Sequence, residues 1–121
     1  MVIAVVDDDA RVRYSVENLL ESAGHTALTF SSADEFVQAG PPADADWLVL
    51  DVRMPGMDGL DLQQLLQETR PQLRVVFITA HYSEAVRHRA MKQGAAQVLR
   101  KPFDGTELLR ILEGCVSSDC A

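Results

Sequence analysis

The sequence predicts an α/β fold of three layers, in which a five-stranded parallel sheet of order 2-1-3-4-5 lies between two layers of helices. Three observations predict it. Short apolar runs alternate with helix-like stretches five times along the chain. The runs are β-branched and near-continuously hydrophobic, as strands buried on both faces are. Polar, reactive side chains stand at the ends of four of the five runs, where open parallel sheets of this kind place their ligands.

The first run is VIAVV (Val2–Val6). After it, Val12, Val16, Leu19, Leu20 and Ala23 recur at helical spacing, and Gly24 stands where a C-terminal cap belongs. TALTF (Thr26–Phe30) is the second run. The SADE stretch (Ser32–Glu35) forms a capping box for a short helix ending near Gly40. GPPADAD (Gly40–Asp46) is the longest irregular link. WLVL (Trp47–Leu50) is the third run, with Trp47 packed at the domain end, and Leu62, Leu65 and Leu66 give the next helix its apolar face. VVFI (Val75–Ile78) precedes a weaker helix with Val86 and Ala90, closed near Gly94. QVL (Gln97–Leu99) is the last strand, followed by a helix with Leu108, Ile111, Leu112 and Cys115 on one face. Leu109 and Val116 form a second apolar line on this helix, read either as a wide buried face or as part of a dimer or effector surface. His25 and His88 are expected on the surface, and Met54 and Met57 as loop packing.

A chain of 121 residues fits one domain with a core of its own. The net charge of −7 argues against direct nucleic-acid binding and against an anionic membrane surface. The chain contains no apolar run of about 18 residues, so no membrane span is expected. MVIAVVDDD lacks the basic start and cleavage site of a signal peptide. Cys115 and Cys120, five residues apart, are read as free thiols, which fits a cytoplasmic protein.

The chemistry gathers at the run ends. The first ends in Asp7, Asp8 and Asp9, the third in Asp51, the fourth in Thr79, Ala80 and His81, and the fifth in Arg100, Lys101 and Pro102. Only the second, the expected edge strand, ends without a charged or catalytic-looking group, in FSS. Carboxylates brought close together repel one another and raise their pKa values unless a cation sits among them. Hard oxygen ligands with water in the remaining positions suit Mg²⁺, which keeps positions open for a phosphate. Lys101 then supplies a positive charge and Thr79 a hydroxyl donor for phosphoryl oxygens. Asp51 is left as the nucleophile, and a carboxylate attacking phosphorus forms an aspartyl phosphate. Asp9 is read as a helix cap.

Together VVDDD, VLDVRMPGMDG, FITAH and RKPF resemble the receiver domain of two-component response regulators, in order and over essentially the whole chain. The subtype is similar to regulators with a C-terminal helix-turn-helix output domain. The resemblance implies a flavodoxin-like (βα)5 fold and a single receiver domain over residues 1–121, with the output domain absent or truncated. It implies that a sensor histidine kinase donates a phosphoryl group to Asp51, with Mg²⁺ or Mn²⁺ as cofactor. Asp7, Asp8, Asp51 and the backbone carbonyl of Arg53 match the metal ligands, Asp8 the more direct of the acidic pair. Thr79, the Ala80 backbone and Lys101 match the groups that contact the phosphoryl oxygens, and the Lys101–Pro102 bond is expected to be cis. The implied output is a conformational change passed to an output domain, own or separate, that controls transcription, and a phosphorylation-dependent homodimer through the last helices is a further implication. The domain would catalyse only its own phosphorylation and dephosphorylation.

One position departs from the family pattern. Val98 stands where the family usually has Tyr or Phe, and a valine cannot report through a swinging ring. Signalling is therefore expected to pass through Thr79 to the loop carrying His81 and Tyr82. The Arg53 side chain faces solvent or, with His81, flanks the phosphoryl group and tunes water access.

Two other functions compete. A dehalogenase-superfamily phosphatase would use Asp7 as nucleophile and Asp9 as acid. Its pattern wants Thr or Val where Arg11 stands and an acidic pair after the lysine, where only Asp104 is available; it would leave Asp51 without a role. A flavodoxin-like binding module for a partner or nucleotide is the other, and the first strand lacks the glycine-rich phosphate loop that nucleotide binding needs.

Overall fold

The computed structural model of the chain describes residues 1–40 and 42–113. Among the described residues ten elements alternate: β1 (Val2–Val6), α1 (Ala10–Ser22), β2 (Thr26–Phe30), α2 (Ala33–Ala39), β3 (Trp47–Asp51), α3 (Gly59–Thr69), β4 (Arg74–Thr79), α4 (Glu84–Lys92), β5 (Gln97–Arg100) and α5 (Gly105–Glu113). All strand pairs are parallel and the sheet order is β2-β1-β3-β4-β5, as the sequence predicts.

The period-two geometry of the strands divides the core in two. Ala4, Val6, Leu48, Leu50 and Phe77 point to one face and meet Phe36 of α2, Leu62 and Leu66 of α3 and Ala90 of α4. Ile3, Val5, Val49, Val76 and Ile78 point to the other and meet Val16 and Leu20 of α1 and Leu108 and Leu112 of α5. Each fully buried leucine among these contributes about 2 kcal/mol by burial. Cross-strand apolar contact on both faces explains why β1, β3 and β4 read as continuous hydrophobic runs.

Local signals hold the helix ends. Asp9 caps α1 by accepting the Arg11 amide at 2.9 Å, and Ser32 caps α2 by accepting the Glu35 amide at 3.0 Å. The return arm of the capping box is displaced by one residue. Glu35 Oε1 accepts from the amide and hydroxyl of Ser31, not from the Ser32 amide. Gly24 and Gly94 follow their helices at φ 89° and 101°, a region where only glycine is unstrained.

Several expectations need correction. β3, β4 and β5 extend past their apolar runs, to Asp51, from Arg74 to Thr79, and to Arg100, because the ladder pairs backbone groups whatever the side chain. β2 is buried on one face only, as an edge strand is. Leu65 lies on the exposed side of α3, and the buried position beside it belongs to Gln63. His25 is not a free surface residue. Its side chain is 11% exposed, with Nε2 3.0 Å from Glu113 Oε2 and Nδ1 3.2 Å from the amino terminus. His88 is exposed, as expected. Trp47 packs at the end of the sheet with the Arg74 guanidinium 4.3 Å above its ring. Leu109 is partly buried against the core on the α1/α5 side, which favours the wide-face reading of that line. Pro41, Cys115, Val116 and Cys120 lie outside the described residues.

Candidate functional site

The register of the sheet assembles the site. Val6 pairs with Leu50, so Asp7 and Asp51 leave neighbouring strands side by side. Asp51 pairs with Ile78 and Thr79 with Arg100, so Thr79 and Lys101 emerge one step further along the same rim. The sheet order reverses between β1 and β3, where a crevice opens at the carboxyl ends of the strands.

Asp7, Asp8 and Asp51 each place a carboxylate oxygen within 4.8 Å of the others, and among the described residues they form the one such acidic group able to hold a metal ion. Asp7 is fully buried. Its Oδ1 accepts the Asp9 amide at 2.9 Å and its Oδ2 accepts the Lys101 ammonium at 2.8 Å. Lys101 Nζ also lies 3.5 Å from Asp51 Oδ1. Asp51 is 5% exposed, whereas Asp8 faces solvent. Burial first, then the neighbouring Asp7 and to a lesser degree Asp8, push the Asp51 carboxyl up from 3.8 to about 7, and Lys101 offsets only part of this. Burial pulls the Lys101 ammonium down, but its bonds to Asp7 and Asp51 outweigh that and the net shift is upward.

One lysine therefore serves a cluster of three carboxylates. The uncompensated repulsion, together with an all-oxygen donor set open to solvent on the Asp8 side, fits a hard divalent cation. Of the other expected residues, Thr79 reaches the same rim by its register with Arg100, whereas Val98 and Tyr82 belong to the core cluster on the α2–α4 side. Thr79 is fully buried and its Oγ1 accepts the His81 amide at 2.9 Å; its carbonyl accepts the Lys101 amide at 2.8 Å. Ala80 and His81 are exposed at the rim. Arg53 lies two residues past Asp51 with its side chain exposed. The Lys101–Pro102 bond is cis. Val98 is buried on the α2–α4 side of the sheet, and Tyr82 packs partly buried against that same cluster with its ring 4.6 Å from the Arg100 guanidinium.

Two supporting residues escaped the sequence reading. Arg13 donates from Nη1 to the Asp7 carbonyl at 2.6 Å and so holds the acidic loop against α1. The available signal was its position one helical turn after the Asp9 cap. Gly59 opens α3 directly against the end of β3. Its amide donates to the Val52 carbonyl at 2.8 Å, and a Cβ there would overlap the Asp51 carbonyl oxygen. Nothing larger than glycine fits without moving Asp51, and the signal was the glycine of MDG immediately before an apolar helical face.

A family model described as the response regulator receiver domain matches residues 3–113. The DNA-binding transcriptional regulator NtrC of Escherichia coli (strain K12) is 39% identical over 116 residues, 96% of this chain and 25% of that protein. Nodulation protein W of Bradyrhizobium diazoefficiens is 40% identical over 118 residues, 98% of this chain and 52% of that protein. The chain thus spans between a quarter and about half of these curated relatives. A response regulator receiver domain protein from Clostridium thermocellum superposes with TM-score 0.87 at 29% identity, covering 93% of this chain and 91% of that one. The family model spans nearly the whole chain and the fold agrees with it, and the chain belongs to the response regulator receiver domain family.

Proposed function

We propose that this chain is a phosphorylation-activated signalling switch, with Asp51 as the phosphoacceptor and a sensor histidine kinase as the phosphodonor. The observation that carries the reading is Asp51 itself: a buried carboxylate at a strand end, crowded by two other acids and reached by one lysine. In the transfer, an Asp51 carboxylate oxygen forms the new P–O bond while the P–N bond of a phosphohistidine breaks. The imidazole leaves with the electron pair and takes up a proton. Lys101 draws charge from the phosphoryl oxygens as they approach, and its bond to Asp7 keeps it aimed into the crevice. Asp7, Asp8, Asp51 and the Arg53 carbonyl would hold Mg²⁺ or Mn²⁺, which neutralises phosphoryl charge when bound. The chain promotes its own phosphorylation and dephosphorylation and turns over no other substrate.

Thr79 couples the chemistry to the fold. Its hydroxyl accepts the His81 amide and keeps its own proton to donate to a phosphoryl oxygen, beside the Ala80 amide. A shift of Thr79 toward that oxygen pulls the His81 amide and carries the segment to Tyr82 away from Arg100. With Val98 in place of a ring, His81 and Tyr82 carry the signal to the α4–β5–α5 side, the candidate surface for a phosphorylation-dependent homodimer. The output, through a domain of the same protein or a separate one, is control of transcription. NtrC, a DNA-binding transcriptional regulator by its description, supports this by similarity. The chain itself does not bind nucleic acid, given its net charge of −7. Among the described residues no helix is long and apolar enough to cross a membrane, and a cytoplasmic location suits a domain that meets a kinase there.

Incubation with a small phosphodonor and Mg²⁺ tests the reading. One acid-stable, base-labile phosphoryl group is expected on the wild type and none on Asp51→Asn. Sustained phosphate release with label on Asp7 would establish the phosphatase instead, and an unlabelled wild type the binding module.

A further inference from the structure

Gln63 is the one buried polar side chain, among the described residues, that the site does not use: Asp7, Asp51 and Thr79 are the others. It is 2% exposed in the middle of the apolar face of α3. Its Nε2 donates to the Ala90 carbonyl at 2.9 Å and its Oε1 accepts from Gln93 Nε2 at 2.7 Å. Gln93, at the C-terminal cap of α4, also donates to the Leu60 carbonyl at 3.3 Å and accepts from Arg89 Nε at 3.1 Å. The Gln93 carbonyl takes a further bond from Gln67 Nε2. Each amide group in this chain of bonds has its partner, and the directions are mutually consistent. Four of these bonds join α3 to the last turn of α4.

The opposite end of α4 is anchored differently. Ala90 is the only residue of α4 that is buried, and Glu84, Ala85, Arg87 and His88 are exposed. The first turn follows the segment Thr79–Tyr82 and is held by the Ser83 cap, by Tyr82 lying over Arg100 and by Val86, partly buried against the core. A helix tied by a satisfied, buried amide network at one end, and attached at the other to a loop that can move, has one soft mode. Breaking the network leaves a buried amide unpaired, which is costly, whereas tilting the first turn uncovers only the partly buried side chains of Val86 and Tyr82.

We propose that the Gln63–Gln93 amide network is a pivot about which α4 swings when the Thr79 loop shifts. The C-terminal turn of α4 stays docked on α3 in both states, and the N-terminal turn carries the displacement. The inference rests on the phosphoryl-switch reading of the site, since that reading supplies the force on Thr79. It adds which part of α4 a partner can sense, namely the face of its first two turns with Glu84, Arg87 and His88.

Hydrogen exchange of the full chain, with and without Mg²⁺ and beryllofluoride, tests it. In the wild type the mimic should alter exchange at residues 79–88 and leave residues 90–93 unchanged. In Gln63→Leu, and in the half-exposed Gln93→Ala should the buried change prevent folding, amides 90–93 should lose protection by about 10-fold even without the mimic. The mimic effect should then spread over the whole helix. A wild type whose residues 90–93 respond as strongly as 84–88 would overturn the pivot while leaving the switch intact, and so would Gln63 and Gln93 variants with undiminished protection at 90–93. No response at Thr79 or Lys101 would overturn the switch reading and the pivot with it.

Discussion

Removing the Asp51 charge should stabilise the metal-free protein, although Asp51 is the residue on which function is proposed to depend. The carboxyl is buried beside Asp7, and its pKa is raised from 3.8 to about 7 in the folded chain. A folded-state value above the unfolded one means that the native state binds the proton more tightly. The resulting stability is fully present below the unfolded value near 3.8 and is lost as pH rises through about 7. At 1.36 kcal/mol per pH unit across that interval, ionising Asp51 costs the fold on the order of 4 kcal/mol by about pH 8. The substitution Asp51→Asn keeps the shape of the side chain and leaves no charge to ionise. Urea unfolding of both proteins in EDTA should show near-equal stability at about pH 4 and a variant more stable by up to about 4 kcal/mol at about pH 8. Adding Mg²⁺ at the higher pH should narrow the gap by stabilising the wild type more than the variant. A variant no more stable than the wild type at high pH without metal would refute the crowded-carboxylate reasoning. Equal stabilisation of both proteins by Mg²⁺ would refute the place of Asp51 among the ligands.

Other substitutions probe the support of the site. Gly59→Ala puts a methyl group against the Asp51 carbonyl oxygen; it should lower stability by about 2 kcal/mol and abolish phosphoryl acceptance, read by denaturation and intact mass. Lys101→Met leaves the fully buried Asp7 without its ammonium. It should cost about 3 kcal/mol and slow labelling of Asp51 by at least about 10-fold, since a buried charge loses its partner. Tyr82→Ala should leave the rate of phosphodonor labelling near that of the wild type but reduce the mimic-induced change at residues 84–88. Output identical to wild type in a linked reporter would remove Tyr82 from the signalling route.

Much of the fold was legible because burial on both faces writes itself into β1, β3 and β4 as unbroken apolar runs, and the caps Asp9, Ser32, Gly24 and Gly94 are local chemistry. Strand ends were less legible, since Arg74 and Arg100 pair through backbone groups that no side-chain pattern reports. The acidic cluster could be read from strand ends alone because the sheet order places β1 beside β3. Gln63 could not. A polar residue on an apolar helical face reads as exposed until the carbonyl of Ala90, 27 positions later, is known to meet it. For the same reason His25 read as surface, since its partner Glu113 lies on α5, while Leu65 read as core although the buried stripe of α3 passes it by and runs through Gln63.

The sharing of one cation by Asp7, Asp8 and Asp51 is tested most directly by calorimetric titration of the wild type and of the exposed-ligand variant Asp8→Asn with Mg²⁺ at neutral pH. One ion per chain should bind the wild type in the millimolar range or tighter, with protons released from Asp51, and the variant should bind it at least about 10-fold more weakly. No heat of binding in the wild type, or equal affinity in the two proteins, would contradict it.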